Sequence, residues 1–258
     1  MRGLAKFIST AEMRTTNPFD LFYLSIYRFF TAPGSARRTA LGIMVRQIFF
    51  TGAQAIVMFL LTGLFVGGAI VLEVSTVLTK VGITEVIGKI LTTAVVRELG
   101  PLLTALMIAA RSGTAIAAEI SSMIVNEEYD SIISMGIDPL VFIVFPRVAG
   151  VSIASFFLTF YFVAASIFGG FLLTYLIVGT PYGVLLENFM SSLGYFDIFI
   201  GFTKSIFFGS ASAIVPISMA MKVSSSPTEV PVATMKAVVS SVFLIFFMNI
   251  VLDVIIYI

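Results

Sequence analysis

The chain has 258 residues, 59% hydrophobic and 11% charged, with a mean hydropathy of +1.08 and a formal charge of +1. An ordinary soluble domain carries about 25% charged residues, so the composition points to a membrane protein. Cysteine, histidine and tryptophan are absent, which excludes disulfides, Cys/His metal sites and any catalytic triad built on histidine.

The N-terminus is polar and contains Arg2 and Arg14. It lacks a short apolar run with a small-residue cleavage site, so no cleaved leader is expected. Residues 17–31, NPFDLFYLSIYRFFT, are rich in aromatics and end before Pro33-Gly34. They read as an amphipathic helix lying in the membrane interface, with a core-packing helix as the other reading.

Five spans follow. The first covers 47–72, inside a stretch of 26 residues without charge between Arg46 and Glu73. A span needs about 20 apolar residues. Its GLFVGG segment, with Gly63, Gly67 and Gly68, either admits a close neighbour or loosens the helix. The second span covers 87–118. Pro101 lacks a backbone donor and predicts a kink near Arg97 to Gly100.

The third span covers 140–178, within a charge-free stretch of 39 residues between Arg147 and Glu187. It is longer than the bilayer is thick, and the GTPYG turn at 179–183 ends it. The fourth covers 198–221, with Lys204 near its start. The fifth covers 237–258 and contains Asn249 and Asp253.

Charge concentrates between 97 and 147. Of 15 cationic and 14 acidic side chains in the chain, this stretch holds Arg97, Glu98, Arg111, Glu119, Glu127, Glu128, Asp130, Asp138 and Arg147. Charge within a span is a functional signal by default. Arg97 and Glu98 are adjacent, point in different directions on a helix, and each need another partner. Arg111, Glu119 and Arg147 read as anchors near the interface, with Glu119 and Arg147 a possible pair.

Residues 127–136 read as a short helix between the second and third spans. Asn126 serves as its expected N-cap, with Glu127 and Glu128 in the first turn. Tyr129, Ile132, Ile133 and Gly136 recur at helical spacing and give one apolar face. Gly136 ends the helix, and Asp138-Pro139 opens the next. So short a helix packs on something: its own spans, or a docked subunit.

With five spans, Arg2, Lys6, Arg14, Arg28, Arg37, Arg38, Arg46, Arg147, Lys222 and Lys236 fall on one side. Lys80, Lys89 and Lys204 fall on the other. The positive-inside rule puts the first side, the N-terminus and the short helix in the cytoplasm and the C-terminus outside.

RELGP at 97–101, followed by the ARSG, AE, EE, MGIDP and PR elements through Arg147, closely resembles the MlaE/YrbE family. These are permease subunits of ABC-type lipid transporters that work with MCE proteins. The resemblance extends over about 45–252. It departs from the family pattern at Ala110, Ser121, Glu128 and Asn249, and in the SSSPTEVP loop.

The resemblance implies an all-α membrane protein with an interfacial helix, five spans and a cytoplasmic coupling helix. It implies a homodimer in a bacterial inner membrane, with two cytoplasmic ABC ATPases and an MCE-domain protein on the outer face. The coupling role falls on Glu127, Glu128, Tyr129, Asp130, Ile132, Ile133 and Met135. Phospholipid in the dimer cleft meets Ile70, Val77, Leu78, Val81, Arg97 and Glu98.

The chain itself has no phosphate-binding G-x-x-x-x-G-K-[ST] loop. No catalysis and no cofactor is therefore expected on it, with ATP and magnesium bound by the partner, and no nucleic acid is expected. The alternative is a self-contained ion-coupled carrier or intramembrane enzyme. Against it, the Gly100-Pro101 break has no counterpart in the second half, and Glu98 and Asp253 lie far apart in sequence.

Overall fold

The computed structural model describes residues 17–82, 86–224 and 226–257. Every regular element among them is helical. α1 spans Pro18–Thr31. α2 is a continuous helical run over Gly34–Val81, α3 runs over Ile87–Val125, and the elbow helix α4 spans Glu128–Ser134. α5 covers Leu140–Val178, α6 Tyr182–Ser192, α7 Tyr195–Ala220 and α8 Glu229–Tyr257. Five of these, α2, α3, α5, α7 and α8, are long and apolar enough to cross a membrane.

α1 begins where the Asn17 side chain accepts a hydrogen bond from the Phe19 N–H at 3.3 Å, with Pro18 in the first turn. Leu21, Ser25 and Phe29 form its buried stripe, at the four-residue spacing of one helix face. Phe29 stacks on Phe145 with centroids 3.8 Å apart, and Arg28 lies 3.8 Å from Asp138. Phe19, Tyr23, Tyr27 and Phe30 face outward. The helix therefore packs on the start of α5 and also presents an aromatic face.

α2 starts well before the expected 47 and outlasts the expected 72. Arg37, Arg38 and Arg46 interrupt the apolar pattern, but nothing in them interrupts a helix. The run stops only at Gly82, whose φ of +78° suits glycine. Within it, the Gly63–Gly67 segment is a π-helical turn lying against α5. A Cβ on Gly63 would stand 2.6 Å from the Phe162 carbonyl oxygen, and one on Gly67 would overlap the Ser166 hydroxyl. The glycines thus both admit a close neighbour and loosen the helix.

α3 reaches Val125 rather than 118. The kink takes the form of a π-helical segment, Thr92–Leu99, in which the Gly100 N–H bonds back to the Val95 carbonyl. Pro101 has no N–H to continue the regular ladder, and the wider turn absorbs the defect. α5 matches the expected limits of 140 and 178; at 39 residues it is about 58 Å long. α7 and α8 begin earlier than expected, at Tyr195 and Glu229.

α6 lies between the expected third and fourth spans, where the apolar pattern marks no helix. Its Leu185 and Phe189, one turn apart, are buried against Ile87, Leu91 and Phe171. A second core lies at the elbow end, where Phe59, Ile120, Tyr129, Leu140 and Ile217 meet.

Candidate functional site

Among the described residues, the most deeply buried charge is Lys204, with 1% exposure. It sits on α7, about two and a half turns from the helix start, and so does not count as a loop cation on the outer side. Its ammonium donates to Glu98 Oε2 of α3 at 2.6 Å and to Asp253 Oδ1 of α8, and lies 3.5 Å from Asn249 Oδ1. Asn249 in turn donates to Asp253 Oδ2 at 3.0 Å. Three donors meet three acceptors, and three spans are joined at one point. Glu98 and Asp253, apart in sequence, meet through this lysine. The cation between them distinguishes the group from a proton-sharing carboxylate pair.

Arg97 turns the other way along α7. Its guanidinium lies 3.3 Å from Asp197, whose second oxygen accepts from the Gly194 N–H at 3.0 Å and caps the helix start. Asp197 and Lys204 are seven residues apart and share one face of α7. The adjacent Arg97 and Glu98 therefore meet charges of opposite order on that face. A shift of α3 along α7 would set like charges against each other.

Glu98 and Asp253 keep side-chain exposures of 24% and 28%. Among the described residues, Glu98 Oε1 is buried and has no hydrogen-bond partner. Burying a carboxylate oxygen without a partner is unfavourable, so this atom is an unmet acceptor in the layer.

Nearer the elbow, Arg147 bonds Glu119 at 2.6 Å and the Ile143 carbonyl at 3.2 Å. Arg111 donates to the Phe50 carbonyl at 3.0 Å and lies over the Phe50 ring at 5.1 Å. It thereby braces α2 where the run tightens into a 3-10 turn at Ala53–Ala55.

The family model described as Permease MlaE matches residues 44–255. That range contains Arg97, Glu98, Asp197, Lys204, Asn249 and Asp253. The chain belongs to the MlaE permease family.

Its relatives include the intermembrane phospholipid transport system permease protein MlaE of Haemophilus influenzae. That protein is 34% identical over 66% of this chain and 65% of its own length. Protein TRIGALACTOSYLDIACYLGLYCEROL 1 of Arabidopsis thaliana is 30% identical over 81% of this chain and 60% of its own. A probable ABC transporter permease protein of Synechocystis is 30% identical over 80% and 78%. The match thus spans less than two thirds of the first two relatives.

In this MlaE-family chain the six candidate cleft residues do not form one cluster. Ile70, Val77, Leu78 and Val81 line the end of α2, with Val77 and Val81 exposed. Leu78 packs against the cluster of Val95 and Phe171. Arg97 and Glu98 turn instead to α7.

The MlaE-family elbow also differs from expectation. Asn126 closes α3 rather than capping α4, and Glu127 bridges the two helices at φ +59°. Its carbonyl accepts from both the N–H and the hydroxyl of Ser131. Tyr129 is buried, and Ile132 and Ile133 pack against the elbow-end core. The apolar stripe thus faces the chain's own spans, and Asp130 is half-buried beside it. The outer face carries Glu127, Glu128, Ser131 and Met135, the last 67% exposed. Asp138 caps α5 as expected, accepting from the Leu140 N–H at 2.9 Å.

The sequence reading missed Lys204, Asp197, Asn249 and Asp253 as one site. The signal available was three polar or charged residues, Lys204, Asn249 and Asp253, inside otherwise apolar spans.

Proposed function

We propose that the chain is the non-catalytic permease subunit of an ABC-type transporter that moves phospholipid between membranes. The buried Lys204 layer supports this reading, because it places charge inside a membrane-spanning bundle and includes Glu98, one of the residues that the family resemblance assigns to the lipid. With Lys204 removed from the loop count, ten cations stand against two. That asymmetry supports a cytoplasmic N-terminus and elbow in an inner membrane, with the C-terminus outside.

Two copies enclose the lipid. The ends of α2, with Ile70, Val77, Leu78 and Val81, supply apolar contacts, and Glu98 Oε1 accepts a hydrogen bond from the headgroup. A cytoplasmic ATPase engages Glu128 and Met135 on the outer face of α4, and an MCE-domain protein covers the opposite end. Force on α4 reaches α3 and α5, which it joins. A displacement of α3 separates Glu98 from Lys204 and leaves Asp253 as that lysine's remaining carboxylate. The layer thus changes its polarity as the cleft changes shape.

The test is mass spectrometry of phospholipid retained by the purified complex. Leu78→Arg and Glu98→Gln are expected to lower the retained lipid and ATP-dependent lipid transfer severalfold. Unchanged lipid content and transfer in both variants would overturn the assignment.

A further inference from the structure

A pocket of about 280 Å³ opens between the elbow-side halves of α2 and α3, with α5 behind it. Arg46, Gln47 and Phe50 of α2, Ile116 and Glu119 of α3 and Arg147 of α5 line it. None of the six belongs to the proposed transport cleft or to the outer face of α4.

Its polar atoms are incompletely matched. Arg147 is 8% exposed, yet among the described residues only two of its five N–H donors are engaged, by Glu119 and the Ile143 carbonyl. Arg46 stands exposed at the rim and makes no ion pair or hydrogen bond among the described residues. Glu119 turns one carboxylate oxygen to Arg147 and leaves the other open. Gln47 donates its amide N–H to the Thr51 hydroxyl at 2.9 Å and keeps its carbonyl oxygen open. The pocket thus offers donors on two guanidiniums and acceptors on a carboxylate and an amide. A ligand that answers both carries an anionic group and a donor group side by side. Guanidinium suits phosphate, and an ammonium suits the open carboxylate oxygen.

The depth identifies the source of such a ligand. Arg46 is the last charge before the 26 uncharged residues of α2, and Arg147 the last before the 39 of α5. Both arginines therefore mark the same edge of the hydrocarbon, where headgroups lie. On the apolar side of that edge, Phe49, Val57 and Leu61 of α2 stand exposed. A polar pocket above an exposed apolar path matches a lipid rather than a soluble anion.

We propose that this pocket holds the headgroup of a phosphatidylethanolamine from the elbow-side leaflet. Its phosphate meets Arg46 and Arg147, its ammonium meets Glu119 and Gln47, and its chains run along α2. The site requires only that the chain spans a bilayer. Its test involves neither ATPase nor lipid transfer, so it stands or falls separately from the transport reading.

The chain contains no tryptophan, so Phe50→Trp sets a single indole beside the pocket and keeps an aromatic ring under Arg111. The full chain is reconstituted in vesicles of digalactosyl diacylglycerol, a bilayer lipid without phosphate. It is titrated with phosphatidylethanolamine or phosphatidylcholine brominated near the top of the chains, where bromine quenches a nearby indole. Phosphatidylethanolamine should bind most tightly, followed by phosphatidylcholine, whose trimethylammonium has no N–H. Arg46→Gln should weaken both about threefold to tenfold, the worth of a hydrogen bond at a partly exposed site. Glu119→Gln keeps a hydrogen bond to Arg147 while removing the charge, and should abolish the preference for ethanolamine over choline.

Binding of both phospholipids no tighter than the galactolipid overturns the site. Unchanged affinity with Arg46→Gln overturns the phosphate contact, and equal affinity for ethanolamine and choline lipids overturns the ammonium contact. Relief of quenching by millimolar glycerophosphoethanolamine would overturn the bilayer as the source of the ligand. If Glu119→Gln fails to fold, the comparison of the two lipids on the Phe50→Trp chain decides alone.

Discussion

The Lys204 layer and the elbow use the same kinds of side chain under opposite conditions. In the layer, a cation with 1% exposure holds two carboxylates from helices far apart in sequence. At the elbow, Glu127 and Glu128 stand in the open with Met135. Buried charges depend on their partners, because losing one leaves the rest uncompensated. Exposed charges interact weakly across water. The layer therefore governs how the spans are held together, while the outer elbow is free to serve a partner.

The most severe way to break this comparison is Lys204→Met. It leaves Glu98 and Asp253 facing each other without a cation, and a loss of about 3–5 kcal/mol is expected. Thermal unfolding in detergent would read it. Adding Glu98→Gln and Asp253→Asn should restore most of the loss. A single variant as stable as the parent would remove the basis for treating the layer as structural.

Arg147→Ala probes the ground between the two regions, since Arg147 is mostly buried while its partner Glu119 is 58% exposed. An intermediate loss of about 1–3 kcal/mol is expected, because the surviving carboxylate returns to solvent. The same unfolding measurement places it on the scale. A loss equal to that of Lys204→Met would contradict the role given to burial.

At the elbow, Glu127→Gly replaces a left-handed residue by one that adopts φ +59° freely. A gain of about 0.5–1 kcal/mol is expected once glycine's extra entropy is offset against the relieved strain. Glu128→Lys should change stability least, by no more than about 0.5 kcal/mol. Co-purification of the ATPase should nevertheless fall sharply. Retained ATPase with this variant and with Met135→Lys would sink the docking role of the outer face.

Much of the architecture is legible in the sequence because membrane spans announce themselves by hydrophobicity. Five such helices stand where five apolar stretches occur. Their limits are less legible: Arg37, Arg38 and Arg46 end a hydropathy window but not a helix. α6 was hidden because its two core contacts, Leu185 and Phe189, are too few for a visible period. The ionic layer was hidden for a different reason. Lys204 lies 106 residues from Glu98 and 49 from Asp253, and no local pattern encodes that meeting. At the elbow, Asn126 looked like the start of a helix, whereas the chain spends it on finishing the previous one.

The glycine seam between α2 and α5 fixes where the molecule is able to bend. Gly63 and Gly67 on one helix meet Phe162 and Ser166 on the other with no room for a methyl group. Backbones so closely fitted separate only by opening empty space. α2 and α5 consequently behave as a single mast. By contrast, only 11% of the hydrophobic window of α8 is covered by the rest of the chain, and its inward tie includes the Lys204 contact. α8 is thus fastened along a single narrow stripe, Ala233, Ala237, Ser241 and Ile245, with the Lys204 contact near its far end, and the rest of its surface is left open for a neighbour.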